Sequence, residues 1–274
     1  MTKADATAVR GISETALLTL RSRANEARRP DAVIDDPVAI RLMDSIDYDF
    51  RKFGIPSRQD IAVRALAFDR SARRYLKTHP SATVVALAEG LQTSFYRLDA
   101  SNVGDRFRWL TVDLPPIVQL RRRLLPPSPR VSMCAQSLLD FSWMERVDPG
   151  EGVFVTAEGV LMYLRRDEAL SLISECAARF PGGQMMFDLP PPWFAALLRG
   201  GLRTSLRYKA PAMPFTMSVG ELADLVDTVP GIRAVHDLPL PRGRGPLFNV
   251  LLCTVQRLPV FDGVRPALTL LEFG

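Results

Sequence analysis

Two features of the chain carry residue types at a spacing that can hold a nucleotide. The first is the apolar run Thr83-Val84-Val85-Ala86-Leu87, followed by Ala88-Glu89-Gly90 and then by Leu91, Phe95 and Leu98. Such a run, bounded by polar residues, reads as a buried parallel strand. The small residues Ala88 and Gly90 let the backbone turn tightly, and the next apolar residues fall at helical spacing. Strand, tight turn and helix bring backbone N–H groups to a ligand, and the helix N-terminus favours its anionic part. The second feature is Asp113, which closes the strand-like run Arg108–Leu114, 23 residues after Gly90. An acid about 20 residues beyond such a turn accepts ribose hydroxyls. The same residues also fit a purely structural strand–turn–helix with a solvated aspartate at a strand end. A further carboxylate, Glu158, closes the run Gly152–Gly159.

The elements that must position these residues follow from periodicity and breakers. Helices are expected over 11–29, over 36–43 behind the cap Asp35-Asp36-Pro37, and over 59–77, with a loop from Asp47 to Pro56. About 80 residues of helix and loop thus precede the first strand and can cover the mouth of a site. After the second strand, Pro115-Pro116 opens a helix through Leu125. Strands follow at 131–136, 152–159 and 184–188, with a helix to Phe180 before the last of these. Residues 190–217 read as an irregular helical insertion, and Leu222–Val226 as a short helix. Ala234–Leu238 and Leu247–Val255 read as the last strands, an antiparallel pair on the sheet edge. The division expected is a helical cap over 1–80 and a cofactor domain over 81–274, packed as one unit.

Composition narrows the class. At 274 residues, 47% hydrophobic and 24% charged, the chain is globular and long enough for a sizeable core. No apolar stretch approaches the roughly 18 residues needed to span a membrane. Met1 to Arg10 lacks the apolar segment of a signal peptide, so a cytoplasmic location is expected. Cys134, Cys176 and Cys253 are odd in number and widely spaced, which suggests neither a disulfide framework nor a zinc site. His79 and His236 are too few for a metal centre. The net charge of +5 favours acidic partners in general. Arg121-Arg122-Arg123 reads as a basic helix with its charges in solvent, and no basic segment is interleaved with aromatics as a nucleic-acid groove would be.

Four blocks resemble the bacterial branch of the leucine carboxyl methyltransferase family, which includes polyketide O-methyltransferases. They are Ser13-Glu14-Thr15-Ala16 through Asp36-Pro37, Val84 to Asp99, Thr111-Val112-Asp113-Leu114-Pro115, and Ala157-Glu158-Gly159-Val160-Leu161-Met162-Tyr163-Leu164. The resemblance implies a Rossmann-like class I methyltransferase α/β sheet, mostly parallel with an antiparallel C-terminal edge strand. It implies S-adenosyl-L-methionine as cofactor and methyl transfer to the oxygen of a small-molecule hydroxyl or carboxylate. By the same resemblance Arg64 pairs with the cofactor's methionine carboxylate, Ala88 and Gly90 take the glycine-turn positions, and Asp113 binds the ribose. Ser137 and Leu138 line the adenine, Glu158 lies beside the cofactor, and Tyr163 matches a position near the reaction.

The turn departs from the family pattern Gly-Ala-Gly-Leu-Asp-Thr-Arg: here it is Ala88-Glu89-Gly90-Leu91-Gln92-Thr93-Ser94. An acid is gained at 89 where one is lost at 92, so Glu89 is expected to offer the cofactor's amino group the missing carboxylate. Trp193, Phe194, Tyr208 and Phe215 are expected either to line the acceptor site or simply to pack. The alternatives are a protein C-terminal carboxyl methyltransferase and a non-catalytic cofactor-binding homologue. A hydride-transferring dehydrogenase would want a fuller Gly-x-Gly-x-x-Gly turn.

Overall fold

The computed structural model describes residues 3–54, 58–198, 201, 203–263 and 265–274. Seven strands form the central sheet: β1 (Thr83–Leu87), β2 (Arg108–Asp113), β3 (Val131–Ala135), β4 (Val153–Ala157), β5 (Gln184–Leu189), β6 (Ile232–Asp237) and β7 (Ala267–Phe273). Their spatial order is β6-β7-β5-β4-β1-β2-β3. Neighbours pair in parallel except at β7, which is antiparallel to both β5 and β6. The chain steps outward from β1 to β2 and β3, then crosses back to β4 on the other side of β1. The C-terminal ends of β1 and β4 therefore flank a switch point, where a crevice opens in sheets of this kind.

The central strands are buried on both faces, which is why they read as unbroken apolar runs. Val84, Ala86, Trp109 and Phe154 pack into one core and Val85, Leu87, Leu110, Val112 and Val155 into the other. Ahead of the sheet lie α1 (Thr15–Ala27), α2 (Pro37–Asp44) and α3 (Gln59–Thr78). Phe68, Ala72, Tyr75 and Leu76 of α3 join the Val84–Phe154 core. Leu17, Leu20 and Ala24 of α1 pack with Leu91 beyond β1 and with Ile117 and Leu120. Asp36 caps α2 as expected: its side chain accepts from Ala39 N at 2.9 Å, and Pro37 fills the first helical turn. After β1 comes α4 (Ser94–Asp99), after β2 comes α5 (Pro115–Leu124), and α6 (Arg166–Arg179) precedes β5.

Two expectations in the C-terminal third need correction. Residues 190–217 are not simply helical. They hold α7 (Pro192–Leu197) and a two-stranded antiparallel hairpin, Arg203–Ser205 with Tyr208–Lys209. Residues 199, 200 and 202 of that stretch lie outside the described residues, as does Pro56 of the expected loop. The hairpin is bonded to the N-terminal region: Thr204 Oγ1 donates to Phe53 O at 2.7 Å and Ser205 Oγ to Lys52 O at 2.5 Å. Beyond it α8 (Val219–Ala223) and α9 (Leu225–Thr228) replace the single helix expected at 222–226. The second correction is Leu247–Val255, which lies in a helix, α10 (Pro246–Arg257), and not in a strand. Gly245, at φ +86°, and Pro246 start it. The last strand is β7, which runs inside the sheet and leaves β6 at the edge. Among the described residues no helix is long and apolar enough to cross a membrane.

Candidate active site

One cavity opens over the C-terminal ends of β1, β2 and β4, and its walls bring the sequence-predicted residues together. Arg64, Ala88, Glu89, Gly90 and Asp113 all line it, as do Ser137, Leu138, Glu158 and Tyr163. The turn after β1 is its floor. Ala88 N donates to Val112 O at 2.7 Å, which carries the β1–β2 ladder one residue past the strand. Ala88 then adopts φ +46° and Gly90 φ +59°. A left-handed alanine costs roughly 1–2 kcal/mol, and such strain persists only where its surroundings over-determine it. At Gly90 an added Cβ would stand 2.9 Å from the Cβ of Ala16. This glycine therefore allows α1 to lie against the turn.

Asp113 is fixed by backbone on both oxygens. Gly90 N donates to Oδ2 at 2.6 Å and Leu114 N to Oδ1 at 2.7 Å. Each oxygen keeps a lone pair for a further donor. Burial pushes the Asp113 carboxyl up to about 6 against the lowering effect of those two N–H groups.

On the other side of the switch point stands a charge cluster. Arg64, from α3, donates from Nε to Glu158 Oε1 at 3.1 Å and from Nη1 to Asp188 Oδ2 at 3.0 Å. Nη2 takes neither bond and lies 3.1 Å from where a Cβ on Gly159 would stand. Burial works against the Arg64 charge, but Asp188 and Glu158 more than offset it and hold its pKa above the ordinary value. Asp188, with Oδ1 accepting from Gly159 N at 2.7 Å, is itself raised by burial. One guanidinium thus faces two carboxylates, a local excess of negative charge. Sequence reading passed over Asp188, although the signal was there: like Asp113 and Glu158, it ends an apolar strand in an acid.

Gln92 links this cluster to a second one. Its Nε2 donates to Glu158 Oε2 at 2.8 Å, while its Oε1 accepts from Arg97 Nη1 at 3.1 Å. Arg97 also pairs with Asp36 at 2.6 Å and with Asp69 at 2.7 Å. Arg23, from α1, lies 3.8 Å from Asp36 and donates to Leu91 O at 2.6 Å. Burial lowers Arg23 to about 10, with Asp36 opposing. A continuous polar chain therefore runs from α1 through α2 and α4 to the cavity. Of these residues the sequence marked Glu158 as a site acid, Asp36 as a helix cap and the change to glutamine at 92; Arg23, Asp69 and Arg97 carried no such signal.

The side chains around the turn bear on two further expectations and correct the one for Arg121. Glu89 is 3% exposed, and its Oε2 accepts from Thr111 Oγ1 at 2.5 Å and from Trp109 Nε1 at 3.2 Å, with Arg121 Nη2 at 2.9 Å. Its Oε2 folds back along β2 and is committed there, while Oε1 has no hydrogen-bond partner among the described residues and the residue still lines the cavity. Arg121 is the partner that turns it, and Arg121 is 1% exposed, not solvated. Only its neighbours Arg122 and Arg123 fit the basic surface expected of that helix.

Ser137 and Leu138 form the wall after β3, where Leu138 O accepts from Trp143 Nε1 at 3.1 Å. Tyr163 sits on the short 3-10 turn Leu161–Tyr163, and burial raises its pKa against the lowering effect of the Arg64 charge. Around it the walls turn apolar, with Ile12, Ala16, Leu139, Val160 and Leu164. Of the two readings open for Trp193, Phe194, Tyr208 and Phe215, lining the acceptor site or simple packing, the first finds no support, since none of them is on these walls. Phe215 is in the sheet core, Tyr208 packs edge-on to Phe53, and Trp193 is 54% exposed and pairs with Phe194. Residues at and just before the start of α1, among them Ile12, Thr15 and Ala16, share these walls with Leu139, Val160 and Leu164.

The family model for leucine carboxyl methyltransferases matches residues 16–177. The chain belongs to the leucine carboxyl methyltransferase family. Membership makes it an S-adenosylmethionine-dependent methyltransferase. Among curated proteins this family member is 33% identical over 225 residues to the tetracenomycin polyketide synthesis O-methyltransferase TcmP of Streptomyces glaucescens, covering 81% of each chain. It is 27% identical over 244 residues to the S-adenosyl-L-methionine-dependent methyltransferase dpfgK of Gibberella zeae, covering 81% of this chain and 80% of the other. Among solved structures, an O-methyltransferase family protein of Burkholderia thailandensis superposes with a TM-score of 0.51 at 17% identity, covering 96% of this chain and 70% of that one. That likeness bears on the fold, which is the class I methyltransferase sheet. The residues lining the cavity fit the chemistry of S-adenosylmethionine. A carboxylate with free lone pairs suits ribose hydroxyls, and two acids around one guanidinium suit a molecule with two positive centres and one carboxylate.

Proposed function

We propose that this enzyme methylates an oxygen, a hydroxyl or a carboxylate, on a small apolar molecule of polyketide type, and that it works in the cytoplasm. The observation that carries the reading is the convergence on one cavity of Asp113, the Arg64–Glu158–Asp188 cluster and an apolar mouth. Asp113 holds the ribose through its two oxygens. Arg64 meets the cofactor's carboxylate while Glu158 and Asp188 balance its positive charges, and Ser137 and Leu138 flank the adenine. The cofactor supplies an electrophilic methyl group for in-line displacement. The protein's task is then alignment, which alone can account for much of the rate. Ile12, Leu139, Val160 and Leu164 hold the acceptor by apolar contact and exclude water, and the Tyr163 hydroxyl orients its oxygen. A carboxylate acceptor needs no base; a hydroxyl must lose its proton. The name of the Streptomyces relative supports the acceptor class, and the free thiols of Cys134, Cys176 and Cys253 agree with a reducing compartment.

The test is methyl transfer from labelled cofactor by the purified protein. The acceptors are a panel of polycyclic aromatic phenols and carboxylic acids, with a peptide ending in a free leucine carboxylate as the competing class. Turnover on the polycyclic compounds and none on the peptide is the expected result. Turnover on the peptide alone would replace this reading with protein carboxyl methylation. Cofactor binding without turnover on any acceptor would point to a non-catalytic homologue.

A further inference from the structure

The buried pair Glu89–Arg121 has no assigned role in the proposed function, yet it is tied to the turn that forms the site's floor. Arg121 reaches up from α5 and donates from Nη1 to Gly90 O at 2.9 Å and to Gln92 O at 2.9 Å. Its Nη2 meets Glu89 Oε2, which Thr111 and Trp109 hold from β2. The Gly90 residue is thereby fixed at both ends, its N–H on Asp113 and its carbonyl on Arg121.

Two observations show that this pair is not arranged for stability. Glu89 Oε1 and Arg121 Nε are both buried without a hydrogen-bond partner among the described residues. A buried ion pair also gives little net stability over an apolar pair of the same volume, because both charges must leave water. What it does give is direction. A guanidinium is a rigid fork, and its planar donors fix two carbonyls and a carboxylate in one relative orientation. Such fixing is what a turn with Ala88 at φ +46° requires, since an alanine there relaxes toward other conformations unless held.

We infer that Glu89 and Arg121 are positioning residues: the pair holds the 88–92 turn, and through Gly90 the Asp113 carboxylate, in the geometry that accepts the cofactor. The inference rests on the cofactor reading of the cavity given above. It also gives the acid at 89 a role behind the turn.

The experiment uses the full chain carrying Glu89→Leu together with Arg121→Met, so that no buried charge is left alone. Two readouts are taken. Amide hydrogen exchange of residues 88–93 is measured in the ligand-free protein, with α6 as internal reference. S-adenosylhomocysteine affinity is measured by calorimetry alongside the urea midpoint. The expected result is an unfolding midpoint at or above that of the parent, exchange at the turn at least tenfold faster with α6 unchanged, and affinity at least tenfold weaker. A folded double variant with parental turn exchange and affinity within twofold would overturn the inference. Should the double variant not fold, Arg121→Lys decides: it keeps the charge, but one ammonium cannot replace both Nη1 on the two carbonyls and Nη2 on Glu89, so turn exchange rises at least fivefold if the pair positions the turn and stays parental if it does not. The exchange readout needs no cofactor. A parent protein that fails to bind S-adenosylhomocysteine would therefore count against the cofactor reading alone, and the exchange result would still decide the role of the pair.

Discussion

Acidification should weaken cofactor binding through Asp113; Asp188, also raised by burial but paired with Arg64, is the other acid that acts in the same direction. The folded Asp113 carboxyl titrates near 6 where the ordinary value is 3.8, because burial disfavours the charge. The sign follows from the direction of that shift. A carboxyl raised in the folded state contributes stability that is fully present below pH about 4 and is lost as pH rises through 6, about 3 kcal/mol over the window. At neutral pH the ligand-free protein thus holds a charge that its fold disfavours, and two ribose hydroxyls are well suited to satisfy it. With a pKa near 6 the carboxylate is roughly nine-tenths ionised at pH 7 and roughly one-tenth at pH 5, a tenfold difference, or about 1.4 kcal/mol. S-adenosylhomocysteine is the ligand of choice, because it lacks the charged sulfur whose neighbour amine titrates closer to neutrality. Its dissociation constant should rise about tenfold from pH 7 to pH 5 while circular dichroism reports a folded protein. At pH 6, binding should release about half a proton, read from heats in two buffers of different ionisation enthalpy. Asp113→Asn should flatten the pH profile at a weaker affinity. A dissociation constant that stays within twofold between pH 7 and pH 5 in the parent would refute both the assignment of Asp113 to the ribose and the role of its ionisation.

Three further outcomes are expected. Ala88→Gly relieves the left-handed alanine, a gain of roughly 1–2 kcal/mol, set against about 0.5–1 kcal/mol for the greater freedom of unfolded glycine. Differential scanning should show a melting temperature higher by about 2 °C, and a fall would mean that the Ala88 methyl packs usefully in the turn. Gln92→Asp replaces the donor 2.8 Å from Glu158 Oε2 with a second carboxylate, so urea unfolding should show a loss of about 2–4 kcal/mol; an unchanged midpoint would remove Gln92 from the polar chain. Tyr163→Phe should lower kcat at least tenfold with the cofactor dissociation constant unchanged, and the reverse pattern would place the hydroxyl with the cofactor instead of the acceptor.

Much of the fold was legible because buried parallel strands write themselves as apolar runs. β1, β2 and β4 are unbroken in this way, and Asp113 and Glu158, the acids at the ends of β2 and β4, mark the edge where the cavity opens. Leu247–Val255 misled for the same reason. A nine-residue apolar run with two valines fits a strand or a helix equally by periodicity, and the signal that decides is local: Gly245 then Pro246, a helix start. The burial of Arg121 had no sequence signal. One arginine in a run of three looks like its neighbours, and only the folded turn supplies the carbonyls that draw it inside. The hairpin at 203–209 was hidden similarly, since its anchors are backbone carbonyls of Lys52 and Phe53, about 150 residues away.

The polar chain from Arg23 to Asp188 also bears on how such a turn can change over evolutionary time. Against the family pattern, this chain lacks an acid at 92 and a base at 94, two departures that cancel in charge, while the acid gained at 89 is paired separately with Arg121. Gln92 bridges Arg97 and Glu158, and Ser94 Oγ accepts from Arg97 Nη2 at 2.8 Å. Restoring the aspartate alone sets it against Glu158; restoring the arginine alone adds a cation beside Arg97. A lineage crossing between the two versions must therefore change both positions nearly together, or pass through a handicapped intermediate. Grafting the consensus turn into this scaffold one residue at a time should fail at the first step and recover at the second.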